Sequence, residues 1–367
     1  MTTWSIREVP VTKTPEGAWL LHGYTDAMND VLVAAWGNRD FERTATEILG
    51  SMHDQRYIRK PRLVAVADDE HDSPDPGRVL GYAMVNLPLQ DNTHTAQVEI
   101  GVRPAQRRRG VGASLYDAAL ALARDAGRTT VTASTDQQVE PPEGPGTLAA
   151  TTGAGRVEAD AAGSRFLLQR GFALEQVERY SVFDLPFDED LVAKHRAEAE
   201  AHAGPDYRLV TWLSHAPEEW VDEYAVLNTR MSTDAPLGGL DLEEDVWDAE
   251  RIRVTEQQYQ ERELELLVLA AEHVPTHTLA AFTCFMAVPN TDEFVHQDDT
   301  LVIKEHRGKR LGMLVKTANL QRLAAERPSV RRVGTWNAEE NSYMLSINVA
   351  LGFRPAGGSG EWQLRLS

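Results

Sequence analysis

Cysteine occurs once in the 367 residues, at Cys284. A single thiol excludes an intrachain disulfide framework and any cysteine-built metal cluster. Basic residues are scarce beside acidic ones: 37 Lys+Arg against 56 Asp+Glu leave a net charge of −19. So acidic a chain is a poor match for a phosphate backbone, and no nucleic acid is expected as partner. A cationic small molecule or peptide fits the charge better, though acidity also serves solubility. No apolar run approaches the roughly 18 residues needed to span a bilayer. The start, Met1-Thr2-Thr3-Trp4-Ser5, has no basic head before an apolar stretch. No membrane partner is expected, and the default location is the cytoplasm. The histidines give no metal-ligand set, so no metal is expected either. What remains is ample for folding: 42% of residues are hydrophobic, and the length suits two domains at roughly 100–200 residues each.

The chain repeats itself. Val102-Arg103-Pro104-Ala105-Gln106-Arg107-Arg108-Arg109-Gly110-Val111-Gly112 closes an alternating apolar segment and opens a helix-periodic one. In the same register, two hundred residues on, stands Val302-Ile303-Lys304-Glu305-His306-Arg307-Gly308-Lys309-Arg310-Leu311-Gly312. Ala118 and Leu120 match Ala318 and Leu320, and each half ends in a Gly-Phe pair, Gly171-Phe172 and Gly352-Phe353. One offset shared by a strand, a loop and a helix marks a tandem duplication. Gly112 to Gly171 spans 59 positions and Gly312 to Gly352 spans 40. The first half therefore carries an insert, placed in the Gly/Pro/Ala-rich tract Gln137 to Asp160. That tract reads as irregular, either disordered or a lid over an acceptor site.

Periodicity predicts strands at Arg62–Ala67, Val79–Asn86 and Thr95–Val102, a helix at Gly110–Ala126, a strand at Arg128–Ser134 and a short helix at Gly163–Arg170. In the second half it predicts strands at Tyr207–Trp212, Leu264–Ala270, Thr278–Val288, Thr300–Ile303 and Val330–Thr335. Helices are expected at Glu218–Thr229 and Arg310–Glu326. The expected division is 1–187, a solvent-exposed linker helix within 188–205, and 206–367.

A strand that stops at a glycine-bearing loop and turns into a helix presents unbonded backbone N–H groups beside the positive end of the helix dipole. It is an anion site, and an arginine adds a charge-assisted contact. The spacing lacks both the third glycine of a dinucleotide fingerprint and the Gly-Lys-Ser/Thr of a P-loop. Arg107-Arg108-Arg109-Gly110-Val111-Gly112 instead resembles the pyrophosphate motif Gln/Arg-x-x-Gly-x-Gly/Ala of the GNAT superfamily of acyl-CoA-dependent N-acyltransferases. The likeness covers nearly the whole chain, in the tandem two-domain form found in actinobacteria. It implies an α/β (α+β) fold of two GNAT-like domains, each a mixed, mostly antiparallel sheet flanked by helices. The second motif departs from the pattern, with Arg310 where the first glycine belongs.

The resemblance implies acetyl-CoA as cosubstrate. Its contacts would be Val102 (backbone N–H), Arg107, Arg108, Arg109, Gly110, Val111, Gly112 and Ala113. Arg307, Gly308, Arg310, Gly312, Asn337 and Asn341 are the second-half counterparts, with helix capping the competing role for Asn341. Glu99, on the strand before the loop, is the candidate general base, against an exposed strand-edge glutamate; Asp299 holds the equivalent place beside Asp298. The tyrosine that protonates the leaving thiolate in the family has no counterpart, because that position holds Leu167 and Asn348. Met231–Asp234 and Asp241–Asp245 would line an acceptor site or form a solvated face. Cys284 reads as a buried, inert thiol, which favours direct transfer over a covalent acyl-enzyme.

The expected activity is therefore acetyl transfer to a primary amine of a small, cationic substrate, by a monomer or homodimer. Two alternatives stay open: a non-catalytic CoA-binding scaffold, and a mycothiol-synthase-like acetyltransferase.

Overall fold

The computed structural model describes residues 3–12, 14–69 and 71–366. The first half runs β1 (Trp4–Glu8), α1 (Pro15–Trp36), α2 (Ala45–His53), β2 (Ile58–Arg59), β3 (Arg62–Ala67), β4 (Val79–Pro88) and β5 (Thr95–Val102). It continues through α3 (Val111–Asp125), β6 (Thr130–Gln137), β7 (Thr147–Ala149), β8 (Arg156–Glu158), α4 (Ala162–Leu168) and β9 (Ala173–Asp184). The second half opens with α5 (Glu189–Ala203), β10 (Tyr207–Leu213), α6 (Val221–Asp234), α7 (Ala249–Glu261), β11 (Glu265–His273) and β12 (Thr278–Ala287). It closes with β13 (Phe294–Val302), α8 (Leu311–Glu326), β14 (Arg332–Ala338), α9 (Ser342–Leu351) and β15 (Arg354–Arg365). Caps fix several helix starts: Thr44 accepts from the Glu47 amide, Asp248 from Arg251, and Asn341 from Met344.

Both halves share one sheet. Its order is β1-β3-β4-β5-β6-β15-β9-β14-β13-β12-β11-β10, with β2 added beside β4. The ends are antiparallel, while β5–β6 and β13–β14 are parallel. The middle is an exchange. β15, the last strand of the second half, lies between β6 and β9, and β9, the last of the first half, lies between β15 and β14. Each half thus borrows the other's final strand to continue its sheet.

Helices cover both faces. In the first half α3 and α4 pack on one face around Leu115, Tyr116, Phe172 and Trp362. On the other face α1 and α2 pack around Tyr24, Met52 and Tyr82. In the second half α8 and α5 cover one face, and α6 and α7 the other. The repeat extends to ring contacts: Tyr24 meets Tyr82 edge-on at 5.2 Å, and Tyr224 meets Phe282 edge-on at 5.4 Å.

Two expectations need correction. The 137–160 tract is only partly irregular: β7 and β8 pair as a hairpin, and Val157 and Ala150 are buried in the core on the α3 face. That face is opposite α1 and α2, although Gln138, ahead of the hairpin, donates its amide to Ala35 O at the end of α1 at 2.6 Å. The helix expected near 188–205 forms as α5, but Val192, Ala199 and Ala203 are buried and the helix packs on α8.

Candidate active site

A wedge-shaped cleft opens in each half where two parallel strands part. β5 and β6 pair only at Thr95–Gln97 with Thr130–Thr132, then diverge. β13 and β14 pair at Phe294–Gln297 with Arg332–Thr335 and diverge likewise. The Arg103 amide donates to Leu80 O on β4, so strand alternation turns the Val102 N–H the other way, into the cleft. In the second half Ile303 donates to Ala280 O, and Val302 is turned in the same sense.

The anion loop follows each strand. In the first, Arg108 and Gly110 are left-handed (φ 64° and 96°). In the second, Gly308 and Arg310 take those places (φ 81° and 57°). The glycine has moved from one left-handed site to the other, and the loop shape has not changed. Both helices then begin alike, with Ser114 donating to Gly110 O and Leu314 to Arg310 O, each at 3.1 Å. The N–H groups of Val111, Gly112 and Ala113 precede that bond and have no acceptor inside the helix. A Cβ on Gly112 would stand 3.4 Å from Val102 and 3.8 Å from Phe166, in ordinary contact.

Charge separates the two loops. Arg107 donates Nε–H to Val102 O at 3.1 Å, and Arg307 does the same to Val302 O at 3.2 Å. Beyond that, Arg307 is bridged to Asp234 at 3.0 Å and Arg310 to Glu198 of α5 at 3.5 Å. His202 of α5 also contacts Gly308 O at 2.9 Å. Among the described residues, Arg107, Arg108 and Arg109 have no carboxylate partner, and all three are exposed. The arginines of the first loop are free to meet an incoming anion, whereas both arginines of the second are paired and only Lys309 lacks a carboxylate partner there among the described residues.

Glu99 lies on the α1–α2 face of the first cleft and accepts a hydrogen bond from Tyr82 Oη at 2.5 Å. Tyr82 is fully buried, and burial followed by the Glu99 charge raises its pKa, so the phenol stays a donor. Further carboxylates share that face. Asp136 on β6 pairs with Ser359 on β15, which pairs with Glu178 on β9, while Glu361 lies two residues along β15. The surrounding protein and then Glu99 push Asp136 up to about 6. Burial and then Glu178 push Glu361 up to about 8, and burial with Glu340 raises Glu178. Water still touches Asp136, so these groups line a recess and are not sealed in a core.

Other candidates have different places. Asn341 caps α9, and Asn337 Oδ1 accepts from Asn348 Nδ2 at 2.7 Å, so both amides are engaged within the protein. Leu167 and Asn348 are buried and offer no phenol at either cleft. Asp241–Asp245 is engaged within the protein. Asp241 accepts from Thr130 and pairs with Arg365, and Asp245 accepts from Asn92, so the segment straps the second half to the first. Cys284 is buried, and burial drives its thiol pKa well up. His273 and His277 do stand four apart, but across a turn. His277 faces Glu272 and His273 contacts Thr276, and no group of three potential metal ligands gathers among the described residues.

Asp299 sits opposite Cys284 in a β-bulge, where Asp298 and Asp299 together replace one residue of the ladder. β5 has no such bulge: its register with β4 is unbroken from Gln97 to Val102. Sequence spacing could not find this, nor the Asp136–Glu361–Glu178 recess. That recess depends on strands 354–365 and 173–184 becoming neighbours.

Splayed parallel strands, an arginine loop with two left-handed positions and a helix springing from it are accompanied by a direct match. Residues 26–141 fit the sequence model of the acetyltransferase (GNAT) family. That match lies within the first half. As a whole the chain has the tandem GNAT fold. It superposes on a tandem GNAT protein from the clavulanic acid biosynthesis pathway with a TM-score of 0.75 at 24% identity, covering 99% of this chain and 98% of that one. A GCN5-related N-acetyltransferase from Sphaerobacter thermophilus gives 0.58 at 14% identity, over 99% and 95%. At such identities the likeness speaks for the fold alone. No curated protein sequence matches the chain.

Proposed function

We propose that the chain is an acyl-CoA-dependent N-acyltransferase that moves an acetyl group to a primary amine of a small cationic substrate. The donor is placed in the first cleft. One observation carries that choice: the arginines of the first loop lack carboxylate partners, while Arg307 and Arg310 are already bridged to Asp234 and Glu198. The residues present fit the cosubstrate. The N–H groups of Arg108 through Ala113 and the arginine side chains would hold its pyrophosphate, and the Val102 N–H would donate to the thioester carbonyl oxygen.

Glu99, held by Tyr82, takes the proton from the substrate ammonium. The amine nitrogen then forms the new C–N bond at the carbonyl carbon, the C–S bond breaks, and the second proton lost from that nitrogen passes through water to the departing thiolate, which leaves as the thiol. The recess of Asp136, Glu178 and Glu361 supports a cationic acceptor, because positive charge there relieves repulsion among carboxylates. Cys284, buried and raised in pKa, is unsuited to carry the acyl group, which supports direct transfer.

A second reading places chemistry in the second half, favoured by the bulge at Asp298–Asp299. A non-catalytic CoA-binding role is the third. The test is thiol release from acetyl-CoA across an amine panel, on the wild type and on Glu99→Gln. Release that falls about 100-fold or more in the variant, with CoA binding retained, supports the first cleft. Undiminished release in Glu99→Gln contradicts it, and tight binding without release supports the scaffold.

A further inference from the structure

The shared sheet ends in two edge strands, β1 and β10. Along β10 the backbone groups alternate in direction. Val274 donates to Asp206 O and Ser214 donates to Leu266 O, so the even-numbered residues bond to β11. The odd-numbered ones, Tyr207, Leu209, Thr211 and Leu213, turn their N–H and C=O groups away from the sheet. Among the described residues, the one such group with a partner is Leu213 O, which accepts from His215.

Natural edges are guarded by shortness, proline, lysine or a bulge. β10 has none of these. It runs seven residues without proline or lysine, and its register with β11 is unbroken. Its one charge, Arg208, is drawn back over the sheet by Glu272 of β11 at 2.6 Å. β1 differs: it has five residues, among them the exposed Glu8, and Arg7 bridged to Asp72 at 2.7 Å. Beside β10, α5 leaves a groove of about 280 Å³, lined by Arg196 and Glu200 of α5, Tyr207 and Leu209 of β10 and Leu314 of α8. Leu213 and Val274 lie at opposite ends of the edge, and each is 46% exposed.

We propose that a second copy of this chain covers β10 with its own β10, antiparallel about a two-fold axis at Val210. Self-complementarity selects that occupant. The axis sets Tyr207 opposite Leu213 and Leu209 opposite Thr211 in both directions, so outward-turned groups meet outward-turned groups. The pairing supplies about six to eight main-chain hydrogen bonds, against roughly ten direct ones in a typical interface. Leu213 of each copy then lies against Tyr207 of the other, at the end where Val274 is exposed. The groove holds one cation and one anion, Arg196 and Glu200, so a two-fold neighbour can set opposite charges against each other. An unrelated extended peptide would satisfy the backbone without this matching of ends. The pair also closes on itself, because the edges left over are the guarded β1 strands. The inference is independent of which cleft takes acyl-CoA.

The experiment is sedimentation velocity on the full chain from about 1 to about 100 μM, with hydrogen exchange read at both ends of that range. A reversible monomer–dimer equilibrium is expected, with the Leu209 and Thr211 amides protected in the dimer and exchanging freely in the monomer. Thr211 is exposed. Thr211→Pro removes an outward donor and leaves the bonds to β11 in place, and it should weaken the dimer at least about tenfold. Thr211→Lys keeps the N–H and should weaken it as well, by charging the edge. Circular dichroism matching the wild type shows that each variant is folded. Glu8→Lys, on β1, should leave the dimer unchanged. A wild type that stays monomeric at the highest concentration overturns the proposal, whether or not mass spectrometry finds a foreign peptide on it. So does a dimer that survives both Thr211 variants, or one whose Leu209 and Thr211 amides exchange as in the monomer. Turnover of acetyl-CoA enters none of these readouts, so this inference and the proposed function fail separately.

Discussion

Gly110 and Arg310 occupy the same left-handed backbone position, φ 96° and φ 57°, at the foot of equivalent helices. The second loop keeps its shape although an arginine stands where glycine is easier. An L-residue in that conformation costs roughly 1–2 kcal/mol. Arg310→Gly should therefore stabilise the second half, by up to about 1 kcal/mol once the greater freedom of glycine in the unfolded chain is subtracted. Chemical denaturation of the two proteins checks this, with a higher midpoint expected for the variant.

If the first loop alone takes the cosubstrate, the paired arginines of the second, and not its backbone shape, are what keep anions out. Arg310→Gly combined with Asp234→Asn should open it, raising acetyl-CoA stoichiometry from about one per chain toward two. Arg310→Gly alone should not, because Arg307 would still face Asp234.

Trp362 is completely buried, and its indole N–H donates to Thr135 Oγ1 at 2.9 Å. The tryptophan belongs to β15 and its partner to β6, so it pins the exchanged strand in the first half's core. Trp362→Ala should cost roughly 3–5 kcal/mol. Ending the chain after Leu351 should unfold the first half along with the second. Hydrogen exchange at Val98 and Val131, strands remote in sequence from the deletion, would report it. Native protection there in the truncated chain would contradict the exchange.

Much of this was legible in the residues, and the exceptions share a cause. Val102 and Val302, the two loops and helices α3 and α8 were readable because each signal is local: alternation, a glycine, then helical period. The helices α1, α2, α7 and α9 were not read, and β13 was read too short. β13 starts at Phe294, and its bulge at Asp298–Asp299 breaks the alternation on which the reading relied. The exchange of β9 and β15 left no local mark, since either strand could have paired within its own half. The recess around Glu99 was half visible for that reason: Glu99 came from its spacing to the loop, whereas Glu178 and Glu361 depend on strand order. The hairpin at 147–158 was hidden by its glycines and prolines, and Val157 alone hints at the core it enters.

Lys316 is buried in α8 with its ammonium 5.5 Å from the Phe353 ring, and burial lowers its pKa from 10.5 to about 7. Between those values the unfolded chain holds a proton that the folded chain lacks, so this residue makes stability rise as pH climbs from about 7 to 10.5. Lys316→Met should stabilise the protein at pH 7 and flatten that rise. Thermal unfolding of both proteins across that window is the check, and an unchanged slope would contradict the burial argument.

The central claim is that acetyl-CoA is bound by the first loop. Calorimetric titration with acetyl-CoA, on the wild type and on Gly112→Trp, tests it most directly. A Cβ on Gly112 would already touch Val102 at 3.4 Å and Phe166 at 3.8 Å, so an indole there would crowd the loop and the cleft beside it. The account predicts a stoichiometry near one in the wild type that vanishes in the variant. A stoichiometry near one that survives Gly112→Trp would place the cosubstrate in the second half and contradict it.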